Sequence, residues 1–185
     1  GWTAEDVASW LCSDESPHCE DYDEAANWLY SSEGAGWDAE RVASWLYSEE
    51  GGALEADGAA DWLHDSNGGA DWCAESVASW LCSDRGAGWE AKDAAIWLCN
   101  NEGADDAASW LYSKEGAAWG AKRVANWLYS DEGANWEGMH VADWLYSDQG
   151  AGWEIERVTN WLSTSSAHMV SAEGDAAHWL STKGL

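Results

Sequence analysis

The residues best suited to chemistry are few and scattered. Cysteines stand at Cys12, Cys19, Cys73, Cys82 and Cys99, an odd number that cannot pair completely, and their spacings contain no C-x-x-C zinc pattern. Cys12 and Cys19 flank the longest irregular connection, residues 12–22 around Pro17, and are the pair expected to form a disulfide in an oxidising compartment. His18 adds a metal-ligand type beside them, yet the surrounding acids read equally well as a solvated loop. The segments GAGWDA at 34–39 and GAGWEA at 86–91 match G-x-G-x-x-A formally. A dinucleotide turn needs a strand before it, and a helix is predicted there instead. Acidic turns such as Ser130-Asp131-Glu132 recur without the ligand alternation of a calcium loop, so they suit at most weak calcium collection. No Ser/His/Asp, Cys/His or carboxylate pair stands apart from its copies, and catalysis requires one special place. No enzymatic activity is expected, and no metal or cofactor is assigned.

Tryptophan is the residue type with pattern behind it: 18 of them, against no phenylalanine. A Trp-Leu pair begins at Trp10, Trp28, Trp45, Trp62, Trp80, Trp97, Trp110, Trp127, Trp144, Trp161 and Trp179, with spacings of 17 or 18 residues except for one step of 13. A second Trp lies eight residues upstream of most pairs, at Trp2, Trp37, Trp72, Trp89, Trp119, Trp136 and Trp153, with Leu54 standing in once. Two jobs fit this second set. Each ring can staple one helix start to the next helix. Alternatively Trp37, Trp72, Trp89, Trp119, Trp136 and Trp153 form a ladder for a flat or apolar ligand, such as a pigment or a sugar, or for a partner's apolar face.

What must position these rings is a repeated helix. Counting back from each repeated Trp, the third residue is Val or Ala, the second is Ala everywhere except Thr159, and Leu always follows. With Ala or Ile six residues upstream this gives an i, i+3, i+4, i+7 stripe. The residue just before the Trp is polar except at Ile96, and is read as the wet face. Gly34, Gly51, Gly68, Gly86, Gly103, Gly116, Gly133 and Gly150 fall six residues after the Trp, the place for a left-handed residue that closes a helix. Each unit is expected to be one helix of roughly 12 residues with a connection of about five. The fold predicted is all-α, an α-solenoid-like helical repeat of about eleven short helices in a single domain over 1–185, with a shortened unit at 99–111. Cys12, Cys82 and Cys99 occupy the position that holds Tyr30, Tyr47, Tyr112, Tyr129 and Tyr146 in other units.

Charge narrows the partners. With 35 acidic residues against 8 basic, the net charge is −27. Nucleic acid is excluded as the expected partner, because phosphate binding needs Lys and Arg. No apolar run reaches the ~18–20 residues of a membrane span, although peripheral association with a membrane stays compatible. The chain opens at Gly1 inside a repeat, as expected for a secreted or organelle-lumen protein after loss of a leader. Three functions follow as expectations. The leading one is a non-enzymatic structural protein, an acidic linker or scaffold subunit docking on a larger protein assembly through that assembly's basic patches. The second is a ligand-binding repeat protein using its Trp ladder, including a linker beside pigment-bearing light-harvesting membrane subunits. The third is a calcium-responsive acidic secreted protein.

Overall fold

The computed structural model describes residues 1–12, 22–49, 51–165 and 172–184. Among them are eleven helices and no strand: α1 (Ala4–Leu11), α2 (Tyr22–Tyr30), α3 (Ala39–Tyr47), α4 (Ala56–His64), α5 (Ala74–Leu81), α6 (Ala91–Asn101), α7 (Ala104–Tyr112), α8 (Ala121–Tyr129), α9 (Gly138–Tyr146), α10 (Ile155–Ser165) and α11 (Ala172–Lys183). Each holds one Trp-Leu pair, so the all-α helical repeat is as predicted. The chain forms two compact units, Gly1–Trp97 and Leu98–Leu185, divided within α6. Sequence neighbours such as α3 and α4, or α8 and α9, pack on each other.

The stripe read from sequence is the core. Val42, Ala43 and Leu46 of α3 are fully buried, as are Val124, Ala125 and Leu128 of α8, and each repeated Trp from Trp45 to Trp179 is buried. Burying one such leucine contributes about 1.5–3 kcal/mol, and the alanines let helices approach closely. Helix α1 opens with a capping box, Thr3 bonding the Asp6 amide at 3.1 Å while Asp6 reaches back to the Thr3 amide at 2.7 Å. Asp38 caps α3 by accepting from the Arg41 N–H.

The helices are shorter than the roughly 12 residues expected; most have nine, and the connections are correspondingly longer. The cause lies in the connection, whose design repeats. After α2, Ser31 Oγ donates to the Trp28 carbonyl at 3.3 Å and accepts from the Gly34 N–H at 3.0 Å. The Trp37 N–H then donates to the Leu29 carbonyl at 2.8 Å, and the same bond joins Trp119 to Leu111 and Trp153 to Leu145. The chain thus doubles back on the finished helix before the next begins.

That geometry corrects the role given to most of the glycines, Gly103 alone of the eight having positive φ (109°). A Cβ at Gly34, Gly51, Gly86, Gly116, Gly133 or Gly150 would collide with the repeated Trp's carbonyl oxygen, so close approach excludes a side chain there. Positive φ falls two residues later, immediately before the second Trp, at Gly36 (65°), Gly88 (65°) and Gly152 (60°). At Ala53 (48°), Ala118 (51°) and Asn135 (52°) a side chain tolerates the same conformation.

Candidate docking surface

Several repeated indoles contact the helix two places earlier in their own unit. Trp62 Nε1 donates to Asn27 Oδ1 at 3.2 Å and Trp97 Nε1 to Asp61 Oδ1 at 3.1 Å in the first unit. Trp161 Nε1 donates to Asn126 Oδ1 at 3.1 Å and Trp179 Nε1 to Asp143 Oδ1 at 2.8 Å in the second. The residue after the Trp-Leu pair completes the contact. Tyr30 meets Trp62 edge-on at 5.7 Å, His64 meets Trp97 at 5.8 Å, and Tyr129 meets Trp161 at 6.0 Å. Alternate helices therefore stack in rows within each unit. The polar residue before each Trp, read from sequence as merely wet, is the acceptor that satisfies a buried N–H; Asn126 is solvent-exposed yet structural. The signal was the spacing of 35 or 36 residues between an Asn or Asp and the indole it serves. Where that position holds Ser the hydroxyl turns back to its own helix, as Ser44 does to Glu40 and Ser109 to Asp105. The indoles at those stations, Trp80 and Trp144, have buried N–H groups with no acceptor among the described residues.

The second set of tryptophans lies just outside the helix starts. Trp37 and Trp153 are 9% and 8% exposed, whereas Trp72, Trp89, Trp119 and Trp136 are half-buried and Trp2 is 68% exposed. Three carry a guanidinium on one face: Arg41 over Trp37 at 3.8 Å, Arg123 over Trp119 at 3.7 Å and Arg157 over Trp153 at 3.8 Å. The i, i+4 spacing of these pairs was visible in sequence and was not read. These three rings are capped individually, while Trp72, Trp89 and Trp136 keep part of their surface open.

Two grooves at equivalent repeat positions gather the surface chemistry. In the first unit the groove is lined by Glu40, Arg41 and Ser44 of α3 with Trp72 and Arg85. Its own cations occupy it: Arg41 bonds Glu5 at 2.8 Å, Arg85 lies 3.9 Å from Glu40, and Ser44 Oγ donates to the Arg85 carbonyl at 3.1 Å. In the second unit Asp105, Asp106 and Ser109 of α7 face Trp136, His140 and Asp143, with Gln149 at the position of Arg85. This groove measures about 760 Å³. It opens beside α7, whose unit is shortened because the step before Trp110 is four residues short. Burial pushes the Asp143 carboxyl up, but Lys183 at 2.7 Å and the Trp179 N–H outweigh this and hold it below its ordinary value.

The cysteine positions carry little chemistry. Burial raises the thiols of Cys12, Cys82 and Cys99, and at Cys82 the Asp93 carboxylate adds to the effect, so each is a poorer nucleophile than an ordinary thiol. Cys19 and His18 lie outside the described residues, and with them the Cys12–Cys19 pairing. The G-x-G segments follow helices α2 and α5 and serve as the doubled-back turns. Among the described residues no group of three metal-ligating side chains converges, and no helix is long and apolar enough to cross a membrane.

Fold and surface together define an all-α helical-repeat protein whose tryptophans are mainly structural. No protein-family model matches the chain, and no curated protein or solved structure is detectably similar to it.

Proposed function

We propose that this chain is a non-enzymatic scaffold or linker subunit that docks on a larger protein assembly, receiving a Lys- or Arg-bearing segment in the α7/α9 groove. One observation carries the reading. The equivalent groove of the first unit has the chain's own Arg85 beside Glu40, whereas in the second Asp143 is paired with Lys183 but Asp105 and Asp106 of α7 line the groove beside a half-buried indole with no ion pair of their own among the described residues. Arg85 is an internal example of the group that the second groove accepts. A cation there gains carboxylates on one side and the Trp136 face on another. The alternative of a flat ligand on the Trp ladder is less favoured, because the rings are capped or partly buried one by one.

The test is capture of partners from the native source by the full chain at low and high salt, beside a Gln149→Arg variant that supplies the missing cation internally. Protein partners should be recovered at low salt, weaken as salt screens the contact, and be largely lost with the variant. Recovery of a small molecule or metal with no protein partner would overturn the scaffold reading. Equal capture by the variant would move the docking site elsewhere on the surface.

A further inference from the structure

In a chain with 35 carboxylates, every cation has acids to choose from. Arg41, Arg85, Lys92 and Lys183 each lie within 4.0 Å of a carboxylate oxygen, at 2.8, 3.9, 3.5 and 2.7 Å. Lys114, Lys122, Arg123 and Arg157 have no such partner among the described residues, and the last three share a place in the fold. These three are brought together, from α8 and α10, along one open groove of about 440 Å³ whose other lining residues are Gly120, Ala121 and Asn126. Clustering like charges is unfavourable by itself, so an anion bound between them would be favoured.

The groove is furnished almost entirely with donors. The guanidiniums of Arg123 and Arg157 lie over Trp119 and Trp153, with Cζ 3.7 and 3.8 Å from the ring centroids, which restrains both groups at the groove. Asn126 has its oxygen engaged by the Trp161 N–H, so the amide presents its NH₂ side. Lys122 adds an ammonium. Helix α8 starts at the groove with no acid in its first turn and no side-chain cap from Gly120, which places its partial positive charge beside the same cations. A metal or an organic cation would be repelled here. Two planar forks and an ammonium suit an oxyanion, and restraining the forks in advance reduces the ordering cost of binding.

We infer that the α8/α10 groove is an oxyanion-binding site, taking a phosphate or carboxylate group through Lys122, Arg123, Asn126 and Arg157. The inference is independent of the docking groove and goes beyond it, since it gives a strongly acidic chain a site for anions.

The experiment follows the four arginine Nε–H signals by nuclear magnetic resonance in the full chain, each assigned by a single Arg→Lys variant. Inorganic phosphate, acetate and chloride are titrated separately at constant ionic strength. Arg123 and Arg157 should move saturably with phosphate, acetate or both while Arg41 and Arg85 stay still; the more effective anion identifies which oxyanion the site prefers. Arg157→Lys and Lys122→Gln, on exposed positions that leave the core untouched, should each weaken the response several-fold, up to about tenfold. The inference is overturned if all four arginines shift together, if chloride acts as well as the oxyanions, or if Arg123 and Arg157 do not respond.

Discussion

The grooves at α3/α5 and α7/α9 are built from the same repeat positions, yet one is filled by its own arginines and the other is not. Glu40 and Asp105 correspond, as do Ser44 and Ser109, Trp72 and Trp136; the differences include Arg41 against Asp106, Arg85 against Gln149 and Ser79 against Asp143. The units as a whole differ in the opposite sense, so the contrast between the grooves is local. Gly1–Trp97 carries 22 acids and 3 bases, and Leu98–Leu185 carries 13 acids and 5 bases. Stripe, turn and indole contact fix the backbone, while a few exposed positions per unit set what the surface attracts. Function in such a protein is written where the repeat departs from itself.

The comparison breaks first if the two cores are unequal. Leu63→Ala in α4 and Leu128→Ala in α8 remove equivalent fully buried side chains and should each cost about 2–5 kcal/mol by denaturant unfolding. A silent substitution in one unit would mean that the shared stripe does not carry the same load there. Gly51→Val and Gly133→Val are the next pair. Each forces a side chain onto the preceding Trp carbonyl and should cost about 1–3 kcal/mol. A neutral result at either would show that its turn does not need the close approach.

Smaller effects sharpen the contrast. Asn27→Ala and Asn126→Ala strip the acceptor from Trp62 and Trp161 and should cost about 1 kcal/mol or more, whereas Ser109→Asn should give Trp144 an acceptor and stabilise by about as much. Loss of stability in Ser109→Asn would contradict the n to n+2 register. The smallest effect separates Asp143, which pairs with Lys183, from its counterpart Asp61, which has the indole contact but no ion pair among the described residues. A carboxyl held below its ordinary value contributes stability that is present above its unfolded-state value and lost as pH falls through the folded one. Lys183→Met should therefore lower stability near neutral pH and flatten its loss in acid. For so exposed a pair the difference is well under about 1 kcal/mol, and unchanged acid profiles would remove the pair from the account.

Helices, stripe and the Trp-Leu pairs were legible because a 3.6-residue period repeated eleven times cannot be mistaken. Helix ends were misplaced because Gly133 announces a turn without saying whether φ or close contact demands glycine. The acceptor role of Asn126 escaped because an exposed polar residue looks inert until the indole 35 positions away is placed under it. The α8/α10 groove escaped for a related reason. Lys122, Arg123 and Arg157 are ordinary helix-surface residues in sequence, and only the stacking of alternate helices gathers them.

The n to n+2 contact also governs how such a chain could lengthen over evolutionary time. Duplicating the pair α8 and α9 would leave Trp161 over a copy of α8 and Trp179 over a copy of α9, each with its Asn or Asp acceptor. Copying α9 alone would set α10 over α9 and change the neighbour of Trp161. Growth by pairs is conservative, and growth by one is not.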